Sequence, residues 1–356
     1  MSGTGITDVV RAEFDACLAG ADEDGALGLA VGLVASGLSA EEVLLGLVAP
    51  AQVTVGEKWA SGEWTVAREH AATHVSRRTV DAVAAAARGT ARTPAGAGSQ
   101  GHVLVACSDG EWHVLPSHIL AEVLRLRGFH VRSLGGDVSP YGLLSDVHQN
   151  GPDLVALSCT LPWNLPRAHR QIETCRSAGV PVMAGGPGFG PEGMWAYPLG
   201  ADLYAADARR AAEALLSRWP PELRGESSVQ AGAVEAYAML VRQHPGLLEH
   251  SVCALRDGFP GLRGRSGVEH EEDAEFVGRL LDSLAAAVFM DDERVFTGQL
   301  AFAAGFLTAR SVDPGCLREI VDALAGRLSE SPRALEKLSA GRRWLAEQGE
   351  DLRRQG

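Results

Sequence analysis

Apolar positions change period twice along the chain. Over residues 7–88 they recur every three or four residues, the spacing of one helix face. Thr7–Leu18, Asp22–Ser36 and Ala40–Val55 each carry the pattern, and Ser39 before Ala40-Glu41-Glu42 reads as an N-cap with acids in the first turn. Ser61-Gly62-Glu63 breaks it, and a fourth helix is expected from about Thr65 to Ala87. Four helices with short connections make a bundle. Gly89–Gly101, with Thr93-Pro-Ala-Gly-Ala-Gly98 inside it, reads as a linker.

From His102 to Trp219 short apolar runs alternate with amphipathic stretches. Val103–Cys107, Val131–Leu134, Leu154–Ser158, Val182–Ala184 and Leu203–Ala205 are expected strands, with helices at Ser117–Arg127, Tyr141–Gln149, Pro166–Ala178 and Asp207–Arg218. That alternation predicts a doubly wound parallel sheet with right-handed crossovers, in flavodoxin-like strand order. Residues 220–228 read as a second linker. Helical spacing then returns at Val229–Gln243, Leu247–Leu255, Asp273–Met290, Asp292–Ala309, Pro314–Leu328 and Pro332–Glu347, divided by Pro245, Pro314 and Pro332. These six unequal helices suit a globin-like or phycobiliprotein-like fold. The fold class expected is α/β plus all-α: a bundle (1–88), a linker (89–101), a Rossmann-like domain (102–219), a linker (220–228) and a C-terminal helical domain (229–356).

Composition excludes several classes. No run of 18 or more uncharged apolar residues occurs, so no membrane span is expected, and the first residues lack the basic start and apolar core of a signal peptide. Six cysteines without CxxC spacing suggest reduced thiols and a cytoplasmic setting. A net charge of −13 opposes direct binding to nucleic acid.

The turn after the first strand is Ser108-Asp109-Gly110-Glu111-Trp112-His113. A dinucleotide site needs its glycines there, yet this turn holds one glycine and two acids that would repel pyrophosphate. The glycine-rich turn, Gly185-Gly-Pro-Gly-Phe-Gly190, follows the fourth strand instead. His113, two residues after Glu111, stands where open α/β sheets bind ligands. It is either a solvated loop histidine or a metal ligand oriented by the carboxylate.

Glu111-x-His113, Ser158-Cys159-Thr160 closing the third strand and Gly185-Gly186 after the fourth together resemble the cobalamin-binding module, over residues 102 to about 218. The resemblance implies His113 as the lower cobalt ligand, in place of the cofactor's own benzimidazole. It implies a cobalamin contact surface formed by Asp109, Gly110, Glu111, Trp112, Val114 and Leu115 on the histidine loop. Ser158, Thr160, Leu161, Gly185, Gly186 and Gly188 would complete it around the nucleotide tail. Pro116 departs from that family's usual glycine three residues after the histidine, but proline starts a helix well.

Upstream, Trp59, nine residues and then Glu69-His70 resemble the signature of light-sensing cobalamin photoreceptors of the CarH type. By that resemblance Trp59, Glu69 and His70 enclose the 5′-deoxyadenosyl group of adenosylcobalamin. Set against this, Trp59 is a core residue and Glu69-His70 a solvated face. Two departures stand out: the chain starts at the bundle, without the winged helix of the DNA-binding members, and Ala60 replaces the histidine that takes the cobalt in some members after photolysis. His70 and His74 at i, i+4 suggest zinc, but no third ligand lies nearby in sequence.

A helical domain after such a module resembles the photocobilins, which add a bilin such as biliverdin. For that chromophore His244, His250, Cys253, Arg256, Phe259, Arg263 and Arg265 are the expected pocket, basic and aromatic side chains suiting a flat dipropionate. The alternatives are a buried Cys253, a solvated arginine loop and a dimerisation domain without chromophore. The function expected is thus a cytoplasmic light sensor, not an enzyme. It would bind adenosylcobalamin and a bilin, form a light-dependent homo-oligomer and signal to a downstream effector protein. The competing expectations are a corrinoid methyl carrier and a light-independent cobalamin-binding regulator.

Overall fold

Five strands pair in parallel in the order β2-β1-β3-β4-β5, the flavodoxin-like order expected from the alternation. They are β1 (His102–Cys107), β2 (His130–Gly135), β3 (Leu154–Ser158), β4 (Val182–Gly185) and β5 (Leu203–Ala205). The structure, a computed structural model, describes residues 5–90, 100–258 and 268–355. Its residues group into two compact units: Met1–Thr160 with Arg167–Ser227, and Leu161–Pro166 with Ser228–Gly356.

In the first unit α1 (Asp8–Gly20) starts at Thr7, whose hydroxyl accepts the Val10 N–H, and α2 (Glu23–Ala35) starts at Asp22. Ser39 and Glu42 form a reciprocal capping box ahead of α3 (Ala40–Val43). That helix passes through a π-helical turn (Leu44–Val48) into α4 (Ala49–Ala60), so the helix expected to stop at Val55 runs one turn further. Pro50 offers no N–H to the Gly46 carbonyl four residues back; the Arg11 guanidinium donates to that carbonyl instead. Then α5 (Val66–Thr90) completes the bundle around buried Phe14, Leu44, Leu47, Trp64 and Val80.

The sheet is covered by α6 (Val114–Leu126), α7 (Pro140–Asn150), α8 (Leu165–Ser177) and α9 (Ala208–Ser217). Buried Val103, Val105, Leu154, Ala156 and Met183 fill its core together with Ile119 and Val123 of α6 and Leu215 of α9. Helices α5 and α6 run in one direction side by side, since Asp81 meets His118 (2.8 Å) and Arg88 meets Glu122 (3.2 Å). Glu41, almost buried, reaches from the bundle to Arg127 at 2.6 and 2.9 Å and to Arg209 at 3.4 Å. Residues 220–228 do not behave as a free linker: Arg224 and Gly225 donate their N–H groups to Asp202 Oδ1, and Ser227 bridges Leu199.

Five helices form the described part of the second unit: α10 (Ala231–Gly258), α11 (Val268–Met290), α12 (Glu293–Ala309), α13 (Cys316–Arg327) and α14 (Pro332–Gln355). Six were expected. Pro245 does not divide α10, because Leu240 before it and Leu247, Val252 and Leu255 after it are all buried and hold both halves in line. No described helix is long and apolar enough to cross a membrane.

Candidate functional site

The turn from β1 to α6 is fixed by its own side chains. The Ser108 N–H donates to Ser158 O on the neighbouring strand, Glu111 N–H closes back on Ser108 O, and Gly110 adopts φ +76°. This swings Glu111 inward until none of it is exposed, while the His113 side chain keeps about half its surface (54%). Glu111 Oε1 accepts the His113 N–H (3.0 Å) and meets ring Nδ1 (2.5 Å); Oε2 accepts the Thr160 N–H (2.8 Å). Burial pushes the Glu111 carboxyl up, but the hydrogen bonds from the His113 ring, the two backbone N–H groups and the imidazole's charge outweigh it, leaving the group below the ordinary carboxylate range. An ionised carboxylate on Nδ1 makes Nε2 the nitrogen that would meet a metal.

Around this pair the structure gathers most of the expected residues. Asp109 lies half-buried, 3.7 Å from Arg170; Trp112 is 71% exposed; Val114 and Leu115 open α6, with Leu115 buried. Ser158 is buried at the end of β3, and the hydroxyls of Thr160 and Ser108 are buried without a hydrogen-bond partner. Such orphaned hydroxyls suit a polar ligand that enters between the strand ends. Leu161 belongs to the segment that groups with the second unit.

The glycines were expected to leave room for a nucleotide tail; they first leave room for backbone. A Cβ on Gly186 would stand 2.4 Å from Cys159 O and one on Gly188 2.7 Å from it, while one on Gly185 would meet Ala205 O at 3.2 Å. Cys159 N–H donates to Gly185 O and Gly188 N–H to Cys159 O, so the two loops are laced together at the sheet's carboxyl edge.

In the bundle, Trp59 is half-buried at the end of α4, and the core tryptophan is Trp64 (4% exposed), which has no place in the Trp59–Glu69–His70 spacing. Glu69 binds the His70 ring with one oxygen and accepts the Thr73 hydroxyl (2.7 Å) with the other; Thr73 in turn accepts from Gln52 (2.6 Å). His70 is largely exposed, and His74 pairs with Glu23 at 3.7 Å, so the two histidines do not form a metal pair. Among the described residues no group of three or more metal-ligating side chains assembles.

Four of the expected bilin residues lie among the described residues, all on α10. His244 faces Asp282 (3.4 Å), whose nearby carboxylate pushes the imidazole's proton affinity up, and Arg256 faces buried Asp273 (3.5 Å), so both basic groups meet acids of α11. His250 and Cys253 are exposed on α10, and Phe259, Arg263 and Arg265 lie outside the described residues. A groove of about 440 Å³ in this unit is lined by Arg242, Gln243, Pro245, Gly246, Leu247 and Arg327, none of them a residue expected for a bilin.

Residues 101–216 match a family model described as a B12 binding domain, and residues 10–84 match a second with the same description. Trimethylamine corrinoid protein 2 of Methanosarcina acetivorans is 30% identical over 112 residues, 30% of this chain and 51% of that protein. The trimethylamine corrinoid protein of Methanosarcina barkeri is 30% identical over 117 residues, 32% of this chain and 53% of that protein. The chain spans about half the length of the curated relatives it matches. The solved monomethylamine corrinoid protein of Methanosarcina barkeri shares the fold at TM-score 0.50 and 16% identity, covering 59% of this chain and 98% of that one. The fold is thus that of an α/β protein with a cobalamin-binding module. More particularly, this is a cobalamin-binding protein with B12-binding domains at residues 10–84 and 101–216.

Proposed function

We propose that the chain is a corrinoid carrier: it holds cobalamin with His113 beneath cobalt and presents the upper face to a methyltransferase partner. The observation that carries the reading is Glu111, wholly buried and bonded to His113 Nδ1 and to the Thr160 N–H. Likeness to the trimethylamine corrinoid proteins favours a carrier over a sensor. Bound cobalamin would supply a cobalt centre that accepts and gives up a methyl group. The protein's part is to orient the imidazole, keep a proton or partial positive charge on Nδ1, and receive the tail beside the Ser108 and Thr160 hydroxyls. In this reading the chain carries the group and a partner performs the transfer.

A second reading is favoured by the bundle. Trp59 is only half-buried, and Glu69, His70, Thr73 and Gln52 are joined by hydrogen bonds across α4 and α5. That arrangement suits enclosure of an adenosyl group in a light sensor. A bilin in the second unit would extend such a sensor, but His244 and Arg256 already pair with acids.

One experiment separates the two. The full chain is loaded in the dark with adenosylcobalamin or methylcobalamin, and its absorption and elution volume are followed before and after illumination. The carrier reading expects an unchanged elution volume with either cofactor, and methyl loss from the methylcobalamin form to a thiol acceptor only when a corrinoid methyltransferase is added. A light-dependent change of oligomeric state confined to the adenosylcobalamin form replaces the carrier with the sensor. No retained cobalamin spectrum sinks both.

A further inference from the structure

The loop bearing His113 is held from outside at three consecutive residues. Gln171, with no exposed surface on α8, accepts the Asp109 N–H on Oε1 (2.9 Å) and donates from Nε2 to Val138 O (2.8 Å). Asp137, between β2 and α7, accepts the Gly110 N–H on Oδ1 (2.9 Å), and its own N–H donates to Glu111 O (2.9 Å). Gly136 permits this approach, since a Cβ there would stand 2.9 Å from Glu111 O. A primary amide offers an acceptor and donors at once, and both kinds are used here in a buried position where a mismatch would be costly. The backbone of Asp109, Gly110 and Glu111 is therefore pinned to α8 and to the β2–α7 turn, and Glu111 in turn fixes the His113 ring.

We propose that Asp137 and Gln171 are positioning residues for the cobalt ligand. Acting through the loop backbone, they hold Glu111 and His113 in the ligating arrangement before cofactor binds. Without them the loop samples other conformations, and apparent affinity for the imidazole-bound state falls with the competent fraction. The inference rests on His113 as the lower ligand and says how that ligand is kept in place.

The full chain, with its histidines labelled in nitrogen-15, is loaded with hydroxocobalamin and reduced to the cobalt(II) state. In electron paramagnetic resonance, a labelled protein imidazole on cobalt splits each line into a doublet, whereas the cofactor's own benzimidazole gives triplets. Asp137→Gly removes the carboxylate at φ +51°, a conformation that glycine accepts on an exposed turn. Together with Gln171→Met it is expected to lower the ratio of imidazole-bound to unbound cobalt about tenfold, with cobalamin retained and the circular dichroism of the folded chain unchanged. Asp137→Asn keeps the Oδ1 acceptor and is expected to restore the doublet. An undiminished doublet in both Asp137→Gly and Gln171→Met overturns the proposal, as does a loss that Asp137→Asn fails to restore. His113→Ala tests the parent reading separately: a doublet that survives it refutes His113 as ligand, whatever the other variants do.

Discussion

Glu111 accepts both the backbone N–H and the ring Nδ1 of His113, at 3.0 and 2.5 Å, from a side chain with no exposed surface. One carboxylate thus sets the ring's tautomer and its direction. Glu111→Gln keeps an acceptor but removes the charge, and cobalamin affinity is expected to fall about tenfold; Glu111→Ala removes both, for a loss of up to about 100-fold. The alanine variant also strands the Thr160 N–H, which adds about 1–3 kcal/mol of destabilisation. Cobalamin titration by absorption and chemical denaturation of the cofactor-free protein check the two effects independently.

The bundle is tied to the sheet domain by Glu41, which no local spacing would single out because its partners Arg127 and Arg209 lie far along the chain. Arg127 binds it through two nitrogens, the geometry in which a guanidinium pairs best with a carboxylate. Both arginines reach solvent, so the full penalty for breaking a buried pair does not apply. We expect Glu41→Ala to cost about 2 kcal/mol, below the range for fully buried pairs. Glu41→Gln, which retains one acceptor, should cost less. Urea denaturation followed by tryptophan fluorescence measures both, and equal losses would show that charge is what matters.

Gly188 has no room for a side chain: a Cβ would stand 2.7 Å from Cys159 O and 2.8 Å from its sulfur. Gly188→Ala is expected to push the loops after β3 and β4 apart, costing about 2–3 kcal/mol and weakening cobalamin retention in step. Gly186→Ala adds strain at φ +102° to a closer clash and should be worse. Melting curves and retention on gel filtration follow both effects. An alanine variant that melts normally yet loses cobalamin would return the glycines to the role expected from sequence, that of clearing space for the ligand.

That contrast shows what the sequence makes legible. Strands β1 to β5 and caps such as Ser39 follow from local period and local chemistry, and so does the placement of Glu111 and His113 on one turn. Gln171, 62 positions from the residue it holds, and Asp137, 27 positions from Gly110, carry no such local mark. Pro245 misled in the other direction. A proline signals a break wherever packing is weak, but α10 is buried on both sides of it and stays continuous. His244 and Arg256 show the same limit: basic side chains along a helix do not disclose that acids on the facing helix lie against them.

Three buried thiols make the fold sensitive to alkali. Burial pushes Cys107 and Cys316 up to about 11 and Cys175 up to about 12, from an ordinary value of 9.0. Below pH 9 these thiols hold their protons in folded and unfolded chains alike, and the stability they contribute is intact. As pH rises from 9 towards 11 or 12, unfolding releases protons that the folded state retains, so stability declines across that window. Urea midpoints between pH 8 and 11 should fall, and Cys175→Ala should make the decline shallower. Exposed Cys253 is expected to react with a thiol reagent at pH 8 well before these three. A flat midpoint across the window would refute the account.

Trp59 and Trp64 are five positions apart and differ in burial. Trp64 is 4% exposed, with Lys58 and Arg68 placed 5.2 and 4.5 Å from its ring, so its removal empties the bundle core and detaches two cations from an aromatic face. Trp64→Ala is expected to destabilise by about 3–5 kcal/mol. Trp59 is half-buried at the end of α4, and Trp59→Ala should cost about 1–2 kcal/mol because less of the side chain leaves a packed environment. If Trp59 borders the upper ligand, as the sensor reading proposes, its larger effect is expected on bound adenosylcobalamin, whose absorption would shift and whose upper ligand would exchange faster. Stability and spectra therefore move in opposite order across the two variants. A Trp59→Ala protein with an unaltered spectrum and a stability loss matching that of Trp64→Ala would make Trp59 a second core residue and remove it from the upper face.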